Sequence, residues 1–234
     1  MASLAARSSE PELMDGADVT AEEFAACLAS LSRVNTLTRA RPPTLRFLEA
    51  ASAGLPRGAA LSVVDVGFGE GDMLRAIARW GARRGLDLSL TGWDLNPRSA
   101  PIAAARTDPD LPIVFRTGDA LQDPQPVDVV ISSLTTHHMS DAEIVRFLVW
   151  MERVARRGWF VNDLHRRWLA WRGFAIIAAL GRFHPFVRHD GPVSIARSFR
   201  TQDWRRLLAA AGLDGAGVQV TRRFPYRLCV SRLR

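Results

Sequence analysis

Three groups of residues in this 234-residue chain have the types and spacing to do chemistry. The first is Asp65-Val66-Gly67-Phe68-Gly69-Glu70-Gly71, a glycine loop that follows a short β-branched run. Such a loop lets backbone approach a nucleotide-like ligand at the C-terminal end of a strand. A dinucleotide loop would read GxGxxG, but the residue three beyond Gly69 is Asp72, so the third glycine is missing. Asp65, Glu70 and Asp72 disfavour a phosphate there and favour a ligand with positive charge. Asp94 ends the next strand, 23 residues after Gly71, where an acidic side chain holds a ribose diol. Together the two features point to a cationic nucleoside.

The second group is Thr135-Thr136-His137-His138-Met139, directly after the apolar run 127–133. A neutral imidazole can take a proton from a phenol or enol near neutral pH, and the same residues can equally cap a helix or brace a loop. The third group pairs histidine with aspartate. In Asn162-Asp163-Leu164-His165 the Asp163 and His165 side chains share one side of an extended chain, and His189-Asp190 lies further on. His137, His138, His165 and His189 are therefore the candidate catalytic residues. Their spacing matches no recognised ligand pattern, so no metal is assigned.

Positioning these groups requires strand ends brought side by side. Helical spacing begins after Thr20, with Glu23 placed for a capping box, and a second helix over 43–53 stops at Gly54-Leu55-Pro56. Strands at 61–67, 88–94, 112–120, 127–133 and 158–164 alternate with helices at 72–84, 99–106 and 141–157. A last helix over 198–211 with a Gly212 C-cap precedes strands 216–224 and 225–233, which meet at Pro225. This alternation predicts an α/β fold with a doubly wound, mostly parallel sheet, an antiparallel C-terminal hairpin, N-terminal helices and a helical lid insertion.

The motifs DVGFGEG, GWDLNP, TGDA and VDVVISS, in this order and spacing, resemble those of class I S-adenosylmethionine-dependent methyltransferases over residues 60–165. The resemblance implies a seven-stranded sheet and S-adenosylmethionine as cofactor. It places Asp65, Gly67 and Gly69 along the methionine part, Asp94 at the ribose hydroxyls, Asp119 with Ala120 at the adenine, and Ser132 and Ser133 near the transferable methyl. Gly71 and Leu95 complete the two cofactor-binding turns. Phe68 departs from the family pattern and is expected to pack rather than bind. Asn35 and Arg41 are expected to close over the cofactor from the N-terminal side.

Enzymes of this family that methylate base or amide nitrogens often carry an Asn/Asp-Pro-Pro-aromatic tetrapeptide where this chain has Ser132-Ser133-Leu134-Thr135. The NDLHR and RHDGPVSIARSF stretches resemble, more loosely, bacterial methyltransferases of polyketide or quinone pathways. That resemblance implies methylation of the oxygen of a small hydrophobic phenol, enol, polyketide or quinol. Carbon methylation of a similar ring, RNA methylation and a non-catalytic cofactor-binding scaffold are the alternatives. The expected organisation is a mobile tail (1–16) and a single methyltransferase domain (17–234). The domain comprises a helical cap (17–56), a cofactor-binding core (60–164), a lid over the substrate (165–200), and a final helix with edge hairpin (201–234).

Composition is globular, with 47% hydrophobic and 24% charged residues, which excludes disorder as the main state. Cys27 and Cys229 form no CxxC or Cys/His cluster, and no signal peptide or membrane-spanning run is present, so a cytoplasmic protein is expected. All 31 cationic residues are arginine; residues 1–140 carry 13 against 17 acidic groups, and 141–234 carry 18 against 7. The arginines are scattered rather than blocked, which argues for solvated faces over a nucleic-acid surface. The insertion is too apolar for a solvated loop. Trp168, Trp171, Phe174 and Ile177 with Arg166, Arg167 and Arg172 suit peripheral membrane contact through 165–185. Core or lid packing is the stronger reading, because apolar residues wrap most of the helix.

Overall fold

The β-branched runs form the centre of a seven-stranded sheet in the computed structural model, which describes residues 4–16, 18–123, 125–181 and 183–234. β1 (Ala60–Val66), β2 (Asp87–Asp94), β3 (Ile113–Thr117), β4 (Val127–Ser133) and β5 (Ala155–Leu164) are parallel, in the order β3-β2-β1-β4-β5. β6 (Gln219–Arg223) and β7 (Arg227–Leu233) form the antiparallel hairpin, with β7 between β5 and β6. The strand order reverses between β1 and β4, and crossovers leaving to opposite faces open a crevice at the strand ends there.

Helices α1 (Ala21–Leu37), α2 (Arg41–Ala51), α3 (Asp72–Arg84) and α4 (Ser99–Ala105) precede β4, and α5 (Asp141–Val154) follows it. Thr20 with Glu23 and Ser140 with Glu143 form complete capping boxes on α1 and α5. α2 and α3 cover one face of the sheet through Phe47, Leu48, Leu74 and Ile77. α5 and α8 (Thr201–Ala210) cover the other through Phe147, Met151, Trp204 and Leu207. Cys27 and Cys229 are free, buried thiols. The insertion forms α6 (Trp168–Leu180) and α7 (Pro185–Arg197), which join α1 in a third cluster around Phe24, Leu28 and Val187. A Cβ at Gly191 of α7 would overlap the Phe174 ring of α6, so glycine is what lets these two helices approach.

Among the boundaries that differ from the sequence reading, three have a direct structural cause. α5 ends at Val154 and β5 starts at Ala155 with no intervening loop, because pairing with β4 begins at Val127 opposite Ala155. α8 starts at Thr201 rather than 198, since Phe199 is extended and bridged to His165. α2 starts at Arg41, which puts its prolines in the first turn, where no N–H is lost.

The larger correction concerns the tail expected to be mobile. Residues 1–3 lie outside the described residues, but the segment from 4 to 16 is a strap fastened across the end of the sheet. Arg7 donates to Asp141 Oδ1 (2.8 Å), to the Met139 carbonyl (2.8 Å) and to the Arg197 carbonyl (2.8 Å), and lies over the Phe199 ring. The Leu13 and Met14 N–H groups donate to the two oxygens of Asp190 at 2.8 and 3.0 Å, and Glu12 is buried. The partners of these polar residues are more than a hundred positions away, so composition alone reads the segment as a solvated tail.

Candidate functional site

The glycine loop between β1 and α3 borders a cavity of about 560 Å³ at the strand ends. Gly67, Gly69 and Gly71 all have positive φ. A Cβ on Gly69 would meet only Leu28, at 3.7 Å, so this residue faces open space, whereas one on Gly67 would strike the Thr135 side chain. Gly71 is the N-cap of α3 and does not line the cavity; a Cβ there would sit 2.8 Å from the Phe115 ring. It is a packing glycine, contrary to the expectation that it binds. Phe68 packs on Phe115 with ring centroids 5.0 Å apart.

The three loop carboxylates are not equivalent. Glu70 is paired with Arg75 and Arg106, and Asp72 with Arg41 at 2.9 Å. Asp65 is buried with Oδ1 unpartnered, and burial, with Asp72 and Asp94 nearby, pushes its carboxyl well above the usual range. Asp94 lines the cavity, accepting from the Gly69 N–H at 3.0 Å and the Asn96 N–H at 2.9 Å, and burial raises its pKa. Leu95 stands exposed at the rim, and Asn35 of α1 lines the same cavity. Asp119 caps a 3-10 turn by accepting from the Leu121 N–H, which sets Asp119 and Ala120 against the cavity wall. Ser133 lines it too. Ser132 does not, since its hydroxyl is buried and donates to the Val66 carbonyl at 2.9 Å. On an extended strand, neighbouring residues face opposite sides, and only one of the two serines can face the ligand.

The other end of the cavity holds the histidine pair. His137 is buried, with Nδ1 2.8 Å from Asp163 Oδ1 and Nε2 3.5 Å from Glu12 Oε1. Burial opposes its charge, but Asp163 and Glu12 outweigh that and push His137 up to about 10. Both carboxylates, despite their burial, are held down at about 2 by His137. His137 therefore lacks the free basic nitrogen that the sequence reading gives it. Asp163 also accepts from the His137 N–H (3.0 Å), the Thr136 hydroxyl (2.5 Å) and the Leu164 N–H (2.7 Å). His138 lines the cavity, with Nδ1 3.2 Å from Asp15 Oδ2. Leu134, at the turn into this segment, has φ +60, a strained value for a residue with a Cβ.

His165 and His189 are not brought here. His189 lies on α7 outside the cavity, half-exposed, with Nδ1 2.9 Å from Asp190. His165 is buried away from the cavity, and its partner is not Asp163, which serves His137. Burial, reinforced by Arg167, Arg222, Arg200 and Arg166, pushes His165 down to about 4. The unfolded chain, with His165 near its ordinary value, therefore binds a proton that the fold refuses. The stability this group contributes is complete above about pH 6.5 and falls as pH drops toward 4. Thermal melts of the wild type and His165→Gln should converge by roughly 1–3 kcal/mol between pH 7 and 4.5.

Sequence reasoning missed Glu12 and Asp15, which lay in the supposed tail, and the role of Asp163 as the anchor of His137. It also missed Arg227, a buried cavity-lining arginine whose Nη2 donates to Thr38 at 2.9 Å while Nε and Nη1 have no partner. The one sequence signal for any of these was the charge of residues otherwise set on an apolar strand.

Residues 63–158 match the family model described as "Methyltransferase domain". Solved structures share the fold. A SAM-dependent methyltransferase from Aquifex aeolicus is 17% identical, with a TM-score of 0.60 over 92% of this chain and 98% of that one. Magnesium protoporphyrin IX methyltransferase from Synechocystis, with bound SAH, is 16% identical, with a TM-score of 0.55 over 94% and 90%. Human N-acetylserotonin methyltransferase in complex with SAM is 15% identical, with a TM-score of 0.62 over 92% of this chain and 56% of that one. No curated protein matches. The cavity residues fit the cofactor named by the motifs: Asp65 has a buried oxygen awaiting a donor or cation, Gly69 leaves room for close approach, and Asp94 sits at the end of β2. Residues 63–158 are thus a methyltransferase domain by their family match, and the sheet order with the glycine-loop cavity at its strand ends is that of the class I methyltransferase fold.

Proposed function

We propose that the protein is a class I S-adenosylmethionine-dependent methyltransferase that methylates the oxygen of a small hydrophobic acceptor, a phenol, enol, polyketide-like enol or quinol. The observation that carries this reading is a single cavity that runs from the glycine loop to the histidine pair beneath apolar helices. Leu31 of α1 and Leu169, Phe174 and Ile177 of α6 line it. Trp168, Ile176 and Leu180 of the same helix are exposed, which offers a lipophilic acceptor an apolar approach and leaves peripheral membrane contact as part of the proposal. Among the described residues no helix is long and apolar enough to cross a membrane.

A nucleic-acid acceptor is less favoured, because much of the C-terminal arginine excess is engaged within the protein. Arg166 pairs with Asp203, Arg232 and Arg234 with Glu152, Arg206 with Asp141, and Arg227 is buried.

In this reading Asp65, Gly67 and Gly69 hold the methionine part, Asp94 with Leu95 the ribose, Asp119 with Ala120 the adenine, and Ser133 borders the methyl. The bound cofactor supplies a methyl group activated on a sulfonium. The chain's own residues supply position and dryness: the strap and α6–α7 exclude water, and the apolar walls orient the acceptor ring. His138, which lines the cavity, takes the proton of the acceptor hydroxyl as its oxygen attacks the methyl, and His137, held between Asp163 and Glu12, braces the segment that carries it.

Calorimetry with S-adenosylhomocysteine tests the cofactor half of the reading. Asp94→Ala should bind at least about tenfold more weakly than the wild type, and unchanged affinity would remove Asp94 from the ribose site. The acceptor half is tested by S-adenosylhomocysteine release from S-adenosylmethionine with a panel of phenols, enols and quinols. Turnover on RNA alone would overturn it.

A further inference from the structure

Glu12, His137 and His138 come from segments more than a hundred residues apart and meet in one corner of the cavity. The two oxygens of Glu12 each face one imidazole: Oε1 is 3.5 Å from His137 Nε2, and Oε2 is 3.8 Å from His138 Nε2. One ligand atom from each of the three residues lies within 4.8 Å of the other two. These separations are long for hydrogen bonds, but they are near the spacing of ligands that each stand about 2.0–2.2 Å from a shared ion.

The surroundings fit the same description. Each imidazole is fixed through its other nitrogen by a carboxylate, His137 by Asp163 at 2.8 Å and His138 by Asp15 at 3.2 Å. A carboxylate on Nδ1 is the outer-layer contact that orients histidines whose Nε2 binds a metal. The Ser194 hydroxyl donates to Glu12 Oε1 at 2.8 Å and steadies that carboxylate. The two rings lie 4.4 Å apart, which keeps both of them beside Glu12. Glu12, Asp15 and Asp163 thus place three carboxylates around two imidazoles. Arg7 and Arg197 donate to the carbonyls of His137, His138 and Met139, and the charge of the buried Arg227 interacts with Asp163.

We propose that Glu12, His137 and His138 bind one first-row transition-metal dication, with its remaining coordination positions open to the cavity. Two imidazoles and one carboxylate suit such borderline ions, of which Zn²⁺ and Co²⁺ are convenient probes, and the ion would take the place of the proton that lies between His137 Nε2 and Glu12, releasing it to solvent. This departs from the sequence reading, which assigns no metal, because the ligands have no sequence spacing to recognise. The role of the ion rests on the methyl-transfer reading: as a Lewis acid beside the acceptor it would bind the hydroxyl oxygen in one of its open positions and lower its pKa, so that the proton passes to solvent water and not to a liganding histidine. Binding itself does not depend on that reading.

The test uses the untagged full-length protein, freed of metal by dialysis against a chelator. Titration with Zn²⁺ is followed by calorimetry and titration with Co²⁺ by its visible absorption. One equivalent should bind, and Glu12→Gln and His138→Ala should each weaken binding at least about tenfold. Circular dichroism and S-adenosylhomocysteine affinity, measured on the same samples, show that the variants remain folded with the cofactor pocket intact. Absence of stoichiometric binding to the wild type, or wild-type affinity in both variants, would overturn the site. Loss of S-adenosylhomocysteine binding by the wild type would instead remove the proposed function and leave the cation site standing.

Discussion

Replacing Gly69 by valine should abolish cofactor binding, with S-adenosylhomocysteine affinity in calorimetry falling at least about a hundredfold. Gly69 has φ +56, and the space its Cβ would enter contains only Leu28, 3.7 Å away. In the proposed function that is the approach between the end of β1 and α1 taken by the cofactor, and a branched side chain would fill it. The left-handed backbone adds roughly 1–2 kcal/mol of strain, so the melting temperature should fall modestly while affinity collapses. Gly67→Val gives the contrast. Its side chain would strike Thr135, displacing the segment that leads to His137, so stability and affinity should fall together. A Gly69→Val protein that binds with wild-type affinity would remove the loop from the cofactor site.

Asp163→Ala should destabilise the fold by about 3–5 kcal/mol, read as a shift of the urea midpoint with an unchanged slope. Asp163 is fully buried and accepts from the His137 imidazole, the His137 N–H, the Thr136 hydroxyl and the Leu164 N–H. Removing it strands a buried imidazolium and leaves other donors unsatisfied, which costs more than the net worth of the ion pair. Asp163→Asn keeps the shape and part of the hydrogen bonding, so its loss should be smaller. An Asp163→Ala midpoint within 1 kcal/mol of the wild type would mean that the His137 segment is held mainly by packing.

The strands and helices of the core were legible because their signals are local. Asp72 to Arg84 is helical at the expected bounds, since its amphipathic pattern, Gly71 before it and Gly85 after it lie within one stretch of chain. The four motifs that carry the family resemblance were legible for the same reason. Each is a strand or the turn that ends one, and the parallel order of β3, β2, β1 and β4 brings those strand ends together. The pairs Ser132/Ser133 and Gly69/Gly71 were only half resolved. A motif names both residues, while the pleat and the helix start decide which one lines the cavity.

By itself, then, the sequence determined the doubly wound sheet and the glycine loop at its strand ends, because periodicity and turn chemistry act over a few residues. Tertiary structure decided which histidines share the cavity. His137 and His138 meet Glu12, Asp15 and Asp163, while His165 is sequestered among arginines and His189 stays outside. It also turned residues 4–16 from an expected tail into a strap, through Arg7, Glu12 and Asp190. Burial and Coulomb interaction depend on distance in space, and a carboxylate 125 positions from a histidine leaves no mark in the sequence until the chain has folded.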